Sequence, residues 1–216
     1  YGKNEKGKSV KKVFTWKKFS HNLSYLEQKK TEKEMLETFK EFVEKFDPDI
    51  ITGYFSDGFD FQYIKRRADL IKVKLDFGLN GTELFSRKSQ GMRPAQAKIT
   101  GMLHLDVYKF IRNIFGQNLK TDSYKLDNVA GELLGTKKHV VDLSELSPSW
   151  DKNNAKNLEN FCKYNLEDSR LTYELCALLL FDIIEFTKTV GLPAFDVSRI
   201  RFSRLVESYI MKRGME

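Results

Sequence analysis

The pattern of apolar positions changes at residues 55–59, from a short continuous run to a helical spacing of three to four residues. Before this point, the run 49–54 is short, apolar and partly β-branched, which predicts a mostly buried strand. After it, apolar residues recur at helical spacing and predict a helix that begins near Phe59 and Asp60. Asp60 is therefore predicted on the first turn of a helix that follows a strand, which is the usual place for a ligand site in an open α/β sheet. The helix dipole also favours a charged carboxylate there.

The same two periods predict elements on both sides of this segment. Thr31 and Glu34 form a capping box that starts a helix, and its inward face carries Met35, Leu36, Phe39, Phe42, Val43 and Phe46. Residues 1–12 are predicted as either a hairpin turn or a frayed end. Strands are predicted within 10–18, with 13–16 as the pairing core, and at 103–107. Helices are predicted at 108–115, 124–134, about 155–180 and about 196–212, with a linker at 148–154. Strands interleaved with helices indicate an α/β fold.

Composition narrows the class of protein without deciding it. The chain has 216 residues and a formal net charge of +7, so one domain is expected, with either a solubilising basic surface or a nucleic-acid partner. Cys162 and Cys176 are predicted ~21 Å apart on one straight helix, too far for a disulfide, and free thiols suit an intracellular compartment. No apolar run is long enough to span a bilayer, so no membrane partner is expected.

A second candidate for chemistry lies on the long helix predicted near the C-terminus. Tyr164 and Asp168 are four residues apart and share a helical face. Asp168 supplies a carboxylate suited to a divalent cation, and the Tyr164 hydroxyl can orient a water or a phosphate oxygen. Such a pair is more often a surface hydrogen bond. It indicates a functional site only in combination with Asp60. His21, His104 and His139 show no metal-ligand spacing, and His104 is predicted to be a hydrogen-bonded core residue.

Several segments, in order, resemble the 3′–5′ exonuclease domain of family B DNA polymerases of the archaeal and eukaryotic type. Residues 47–61 resemble its second exonuclease motif, and 164–175 resemble the third. Residues 101–108 and 124–130 resemble connecting segments, and 195–207 resemble the stretch that leaves this domain toward the polymerase palm. The resemblance covers nearly the whole chain.

The resemblance implies a ribonuclease-H-like α/β fold, with a mixed sheet flanked by helices. Residues 1–190 would form the exonuclease-like domain, and 191–216 a helical segment leading toward the palm. The implied activity is two-metal hydrolysis of mispaired 3′ DNA ends with Mg²⁺ or Mn²⁺. Asp60 would ligate one metal, Asp168 the other, and Tyr164 would orient the attacking water. The implied partners are the single-stranded primer 3′ end and the remaining polymerase domains, in the cytoplasm or nucleoid, or in the nucleus if the source is eukaryotic.

The family's opening motif, an Asp-x-Glu on the first strand, is absent, and the sequence starts just downstream of it. Asp106 and Asp142 are not favoured as substitutes for its two carboxylates. We therefore expect this fragment to lack the first strand, to bind metal poorly and to be inactive or nearly so. The missing strand would expose pairing edges, which predicts non-native self-association or a disordered N-terminus.

The DNA contacts are less well defined. Phe55 stands where the family usually has an Asn that contacts the unpaired strand. Phe55 either stacks on a base, a contact worth ~1–3 kcal/mol, or only packs within a degenerate site. Lys65 and Arg66 either touch phosphate or form a solvated face. Two other functions remain open: a stand-alone two-metal nuclease, and a decayed domain kept as a structural or DNA-binding module.

Overall fold

Strands and helices are mixed in the first half of the chain, as predicted, and the described elements after Asp106 are helical. The computed structural model describes residues 1–91, 93–116, 118–121, 123–136 and 142–215, so His139 lies outside the described residues. The strands are β1 (Gly2–Lys3), β2 (Ser9–Val10), β3 (Val13–Thr15), β4 (Leu26–Gln28), β5 (Ile50–Gly53), β6 (Phe85–Arg87), β7 (Gln96–Lys98) and β8 (Leu103–Asp106). The helices are α1 (Glu32–Phe46), α2 (Asp60–Leu70), α3 (Val107–Phe110), α4 (Leu126–Leu134), α5 (Leu146–Asp151), α6 (Ala155–Val190), α7 (Ala194–Val197) and α8 (Phe202–Met215).

Local signals predicted several element boundaries correctly. The Thr31 hydroxyl accepts the backbone N–H of Glu34 at 3.1 Å and caps α1. Gly135, in the left-handed region with φ of 67°, ends α4 directly after Leu134, the predicted last residue of that helix. Of the two alternatives for the N-terminal residues, the structure has the hairpin, in which β1 pairs antiparallel with β2.

Three boundaries differ from the prediction. Residues 148–154 were predicted as a linker, but much of this segment is α5, and Pro148 lies in its first turn, where a missing N–H breaks no helical hydrogen bond. Helix α6 continues ten residues past 180 to Val190. The predicted last helix begins at Phe202, after the separate short helix α7.

The strands pair in both orientations, but as four separate two-stranded sheets within the described ranges. β1–β2 and β6–β7 are antiparallel, whereas β3–β4 and β5–β8 are parallel. In the β5–β8 pair, Ile50 lies opposite Leu103 and Gly53 lies opposite Asp106. The carboxyl ends of these two parallel strands therefore lie side by side; α3 follows β8 directly, and α2 follows β5 after the turn 55–59.

Two hydrophobic clusters lie on either side of the β5–β8 pair. The larger one packs α6 against β8, α3, α4, α7 and α8, and its fully buried members include Leu105, Phe110, Val129, Leu175 and Ile183. The smaller one joins α1 and α2 to β7 and to the segment between α2 and β6, and it includes Leu36, Phe61, Leu75 and Ala97. Strand β8 contributes Leu103 and Leu105 to the larger cluster, and β5 contributes Ile51 to the smaller one, so the paired strands are packed against both.

Aromatic contacts attach the N-terminal part of the chain to the C-terminal helices. The Tyr1 ring meets Tyr173 of α6 edge to face, with centroids 5.3 Å apart. The Trp16 ring, just after β3, meets Trp150 of α5 at 5.0 Å. Cys162 and Cys176 on α6 are free thiols, as predicted.

The unpaired edge of β5 predicts self-association. Among the described strands only β8 pairs with β5, and Ile50 at its start is 36% exposed. We expect the 216-residue chain to form a dimer at micromolar concentration, and Ile50→Lys to raise the dimer dissociation constant about tenfold or more. Sedimentation velocity over a concentration series measures both. Leu178→Lys, on an exposed face of α6, is the control; a monomer throughout, or equal effects of the two variants, contradicts the prediction.

Candidate active site

Asp60 is the first residue of α2, directly after the turn 55–59 that leaves β5. The predicted position on the first helical turn is confirmed. The neighbouring Phe59 provides no side-chain cap, so backbone bonds fix the helix start: Phe61 N–H donates to the Ser56 carbonyl at 3.1 Å. The Asp60 residue is exposed, although protein atoms packed around its carboxyl reduce its hydration and raise its pKa.

The turn before Asp60 is anchored by the fully buried carboxylate of Asp57. Its Oδ1 accepts the backbone N–H of Ala97 at 2.7 Å, and its Oδ2 accepts Lys109 Nζ at 2.7 Å and Arg199 Nε at 2.8 Å. Burial alone would raise the pKa of Asp57, but the hydrogen bonds and charges of Arg199 and Lys109 outweigh it and hold that pKa below its ordinary value. Asp57 is therefore a charged internal anchor rather than a solvent-facing ligand.

Two further buried side chains, both from β8, fix the same turn. Asp106 accepts the backbone N–H of Phe55 at 2.9 Å on one oxygen and that of Asp57 at 3.0 Å on the other, and burial raises its pKa to about 6. His104 is fully buried and bonds Ser56 Oγ at 2.8 Å and the Ala97 carbonyl at 2.9 Å, which confirms it as a hydrogen-bonded core residue. Burial lowers the pKa of His104 to about 4, so the ring is neutral at pH 7. We assign its proton to Nδ1, since the Ala97 carbonyl can only accept; Arg199 Nη2, 3.1 Å from the same nitrogen, then donates to Asp57 Oδ1 instead.

Phe55 has a backbone conformation that is rare for a bulky residue. Its φ is 64°, in the left-handed region that Asn and Gly adopt readily. The residue is 46% exposed, and its ring meets Tyr108 edge to face at 5.2 Å and covers Gly58, where an added Cβ would lie 2.4 Å from the ring. The turn thus follows a path that suits Asn, although Phe occupies the position.

Tyr164 and Asp168 lie together on α6, and both are half-buried. Burial raises the pKa of Tyr164 to about 12, with further contributions from the charges of Asp168 and Asp127 and from a hydrogen bond with Asp168. The charge of Asp127, on the first turn of α4, also contributes to raising the pKa of Tyr54, which directly follows β5 and is affected mainly by burial. The charge of Asp127 on α4 thus acts on both Tyr54 and Tyr164.

The two basic candidates on α2 differ in their surroundings. Lys65 Nζ bonds Asp69 at 2.7 Å and Glu83 at 3.1 Å, so its charge is compensated within the protein. Arg66 is exposed on the same helix. Neighbouring Arg67 donates through Nε to Glu32 of α1 at 2.7 Å, which joins the two helices.

The acidic side chains of the described chain do not complete a metal centre. Within the described ranges, no three His, Cys, Asp or Glu side chains converge closely enough to hold a metal ion. Neither Asp60 nor Asp168 belongs to such a group, and Asp106 is occupied by two backbone N–H groups. Asp142, the other substitute considered, bonds Ser144 and is exposed. The donor set does not fit a two-metal site by itself.

The mixed α/β architecture, with its parallel β5–β8 pair flanked by helices, is that of a ribonuclease-H-like exonuclease domain. Residues 1–129 match the model of the family described as DNA polymerase family B, exonuclease domain. The chain belongs to this family.

Archaeal polymerases are similar to nearly all of the chain. A DNA polymerase of Pyrococcus glycovorans is 35% identical over 205 residues, and one of Desulfurococcus sp. (strain Tok) is 34% identical over 206; each alignment covers 95% of this chain and 25% of the relative. The structure of the family B DNA polymerase from the hyperthermophilic archaeon Pyrobaculum calidifontis superposes with a TM-score of 0.70 and 26% identity, over 82% of this chain and 22% of that one. The chain thus spans about a quarter of these relatives. No helix of the described part is long and apolar enough to cross a membrane.

Sequence reasoning missed the residues that hold the turn. Asp57 was assigned only to a turn, and Arg199 only to a segment of family resemblance. Lys109 was not noted. A lone Asp in a Ser-Asp-Gly turn is ordinary turn chemistry, and no pattern within the sequence links it to an Arg 142 positions away.

Proposed function

We propose that this chain is the 3′–5′ exonuclease portion of a family B DNA polymerase that excises mispaired 3′ DNA ends. The family match over residues 1–129 carries this proposal. The position of Asp60 at the end of β5 and the bonded Tyr164–Asp168 pair on α6 support it. In this proposal the whole protein is about four times as long as this chain, and residues 191–216 lead toward its palm.

Asp60 and Asp168 are the proposed metal-binding carboxylates, and Tyr164 is the proposed water-orienting group. Oxygen ligands of this kind suit Mg²⁺ or Mn²⁺, and bound metals would stabilise charge during phosphodiester hydrolysis. The Tyr164 phenol, with its raised pKa, remains a neutral hydrogen-bond donor at pH 7. Because the chain supplies an incomplete donor set, we propose that the missing carboxylates come from outside these 216 residues and that the chain alone cleaves little.

The proposed substrate is a single-stranded primer 3′ end, and the other partners are the remaining polymerase domains. Phe55 and Arg66 are proposed DNA contacts, because the Phe55 ring is partly exposed and the Arg66 side chain lies on the outer face of α2. Lys65 is the weaker proposal, since two carboxylates already bind it. The proposed location is intracellular, where DNA replication takes place.

Replacement of Asp60 or Asp168 by Asn in the full-length protein tests this function. We expect each variant to release the 3′ nucleotide of a single-stranded, 5′-labelled oligonucleotide at least about 100-fold more slowly with Mg²⁺ or Mn²⁺, because loss of a direct ligand should exceed the 10–100-fold cost of losing an outer-shell partner. Asp69→Asn, an exposed carboxylate of the same helix, is the matched control and should keep normal activity.

The outcomes separate the three functions. Primer extension by the same protein identifies a polymerase, whereas excision without synthesis indicates a stand-alone nuclease. Excision that is unchanged in both variants contradicts the catalytic assignment. Absence of excision in the unaltered full-length protein indicates a decayed structural or DNA-binding module.

A further inference from the structure

Arg199, in the segment between α7 and α8, makes the most extensive set of polar contacts near the turn. Its Nε donates to Asp57 Oδ2 at 2.8 Å and its Nη2 to Asp57 Oδ1 at 3.2 Å, so the guanidinium binds the carboxylate through two parallel bonds. Its Nη1 donates to the carbonyl of His104 in β8 at 3.1 Å and to that of Phe195 at 2.8 Å. One side chain therefore joins the turn, the strand and the C-terminal segment.

Arg199 is held rigidly in this place. Its side chain is 7% exposed, and the guanidinium carbon lies 3.7 Å from the centroid of the Phe195 ring. Its own carbonyl accepts Asn113 Nδ2 at 2.9 Å, which ties the backbone to the segment that follows α3. Because both its backbone and its guanidinium are held, Arg199 fixes the location of the Asp57 carboxylate in addition to neutralising its charge.

The carboxylate that Arg199 holds lies three residues before Asp60. The Asp57 backbone is fixed as well, since its carbonyl accepts Gln62 Nε2 at 3.1 Å from the first turns of α2. Asp60 begins a helix without a side-chain cap, so its position depends on how the turn is placed. A displacement of Asp57 by removal of its partner would therefore shift the start of α2.

We propose that Arg199 is a positioning residue for the Asp60 carboxylate, acting through Asp57. This rests on the function proposed above for Asp60. The forked guanidinium sets the distance between the turn and the end of β8, and a displacement of about 1 Å at a reacting group can cost 100-fold in rate. Lys in its place carries the same charge but cannot bind both Asp57 oxygens and the His104 carbonyl in one plane.

The test compares Arg199→Lys, Arg199→Met and the control Arg204→Met in the full-length protein. Arg204 is an exposed arginine of α8 that pairs with Glu207, so it matches the lost charge without touching the turn. We expect both Arg199 variants to lower kcat for excision from a single-stranded oligonucleotide about 10–100-fold, as outer-shell partners do. The KM should stay within about threefold, because no DNA contact is removed. Primer extension by the same preparations should be unchanged, which a general loss of folding would not allow.

Each outcome decides between the alternatives. Normal kcat in Arg199→Lys and Arg199→Met overturns the positioning role, whereas Asp60→Asn, assayed in parallel, reports separately on the proposed function. Equal losses of excision and extension show a purely structural role and overturn the proposal too. If Arg199→Met does not fold, Arg199→Lys decides the matter, since it keeps the buried positive charge. A lowered kcat in Arg204→Met would equally overturn the specific role of Arg199.

Discussion

Replacement of Asp57 by Ala is expected to lower the free energy of unfolding of the chain by about 3–5 kcal/mol, because it leaves buried charges without a partner. Arg199 is 7% exposed and Lys109 is 15% exposed, and both donate to this carboxylate. The backbone N–H of Ala97 loses its acceptor as well. A loss of this size is a large fraction of the stability of an ordinary domain, about 5–15 kcal/mol.

Urea denaturation followed by circular dichroism measures this effect. Asp69→Ala is the control, since Asp69 also pairs with a lysine but is 57% exposed, and its removal should cost about 0–1 kcal/mol. Asp57→Asn keeps the shape of the side chain and should cost less than Ala. If Asp57→Ala and Asp69→Ala destabilise the chain equally, the buried network does not stabilise the fold in this way.

The second large effect is on the pH dependence of stability. Asp106 and His104 are both buried, and their shifted pKa values change the stability in opposite directions as the pH falls. The pKa of Asp106 is raised from 3.8 to about 6, so its contribution to stability is complete below pH 3.8 and is lost as the pH rises through 6. The pKa of His104 is lowered from 6.5 to about 4, so its contribution is complete above pH 6.5 and is lost as the pH falls through 4. Each shift corresponds to an energy on the order of 3 kcal/mol.

Asp106→Asn should therefore make the chain more sensitive to acid. Between pH 6 and pH 4 the Asp106 contribution grows while that of His104 declines, so removing Asp106 leaves the decline uncompensated. We expect the free energy of unfolding of the variant to fall more steeply than that of the unaltered chain over this range, by on the order of 2–3 kcal/mol. Denaturation curves at several pH values give the two slopes. His104→Gln should change the slope in the opposite sense, and parallel curves for all three chains would contradict the opposed titrations.

Much of the fold was predictable because its signals are local. The capping box of Thr31 and Glu34 and the terminating Gly135 act on residues within one helical turn of themselves. The apolar run before residue 55 and the helical spacing after Phe59 likewise placed Asp60 on the first turn of α2. Pro148 was misleading, because a proline also marks a helix start, where α5 places it.

The site was less predictable because it depends on contacts between distant residues. The Asp57–Arg199 pair joins positions 142 residues apart, and only the folded β8 and α7 bring them together. The roles of Tyr164 and Asp168 came from family resemblance rather than from their spacing, which by itself fits a surface hydrogen bond. The left-handed conformation of Phe55 was not foreseen either, since bulky residues seldom adopt it.

The edge-to-face contact between Trp16 and Trp150 has a practical consequence for spectroscopy. These are the chain's two tryptophans, so indole emission reports on a single corner, where the end of β3 meets α5. Lys17 Nζ lies 5.4 Å from the centroid of the Trp150 ring, which makes that emission sensitive to small movements there. Tryptophan emission therefore does not report on α2. An unfolding midpoint that is lower by emission than by far-ultraviolet circular dichroism would show that the contact between β3 and α5 is lost before the rest of the chain unfolds.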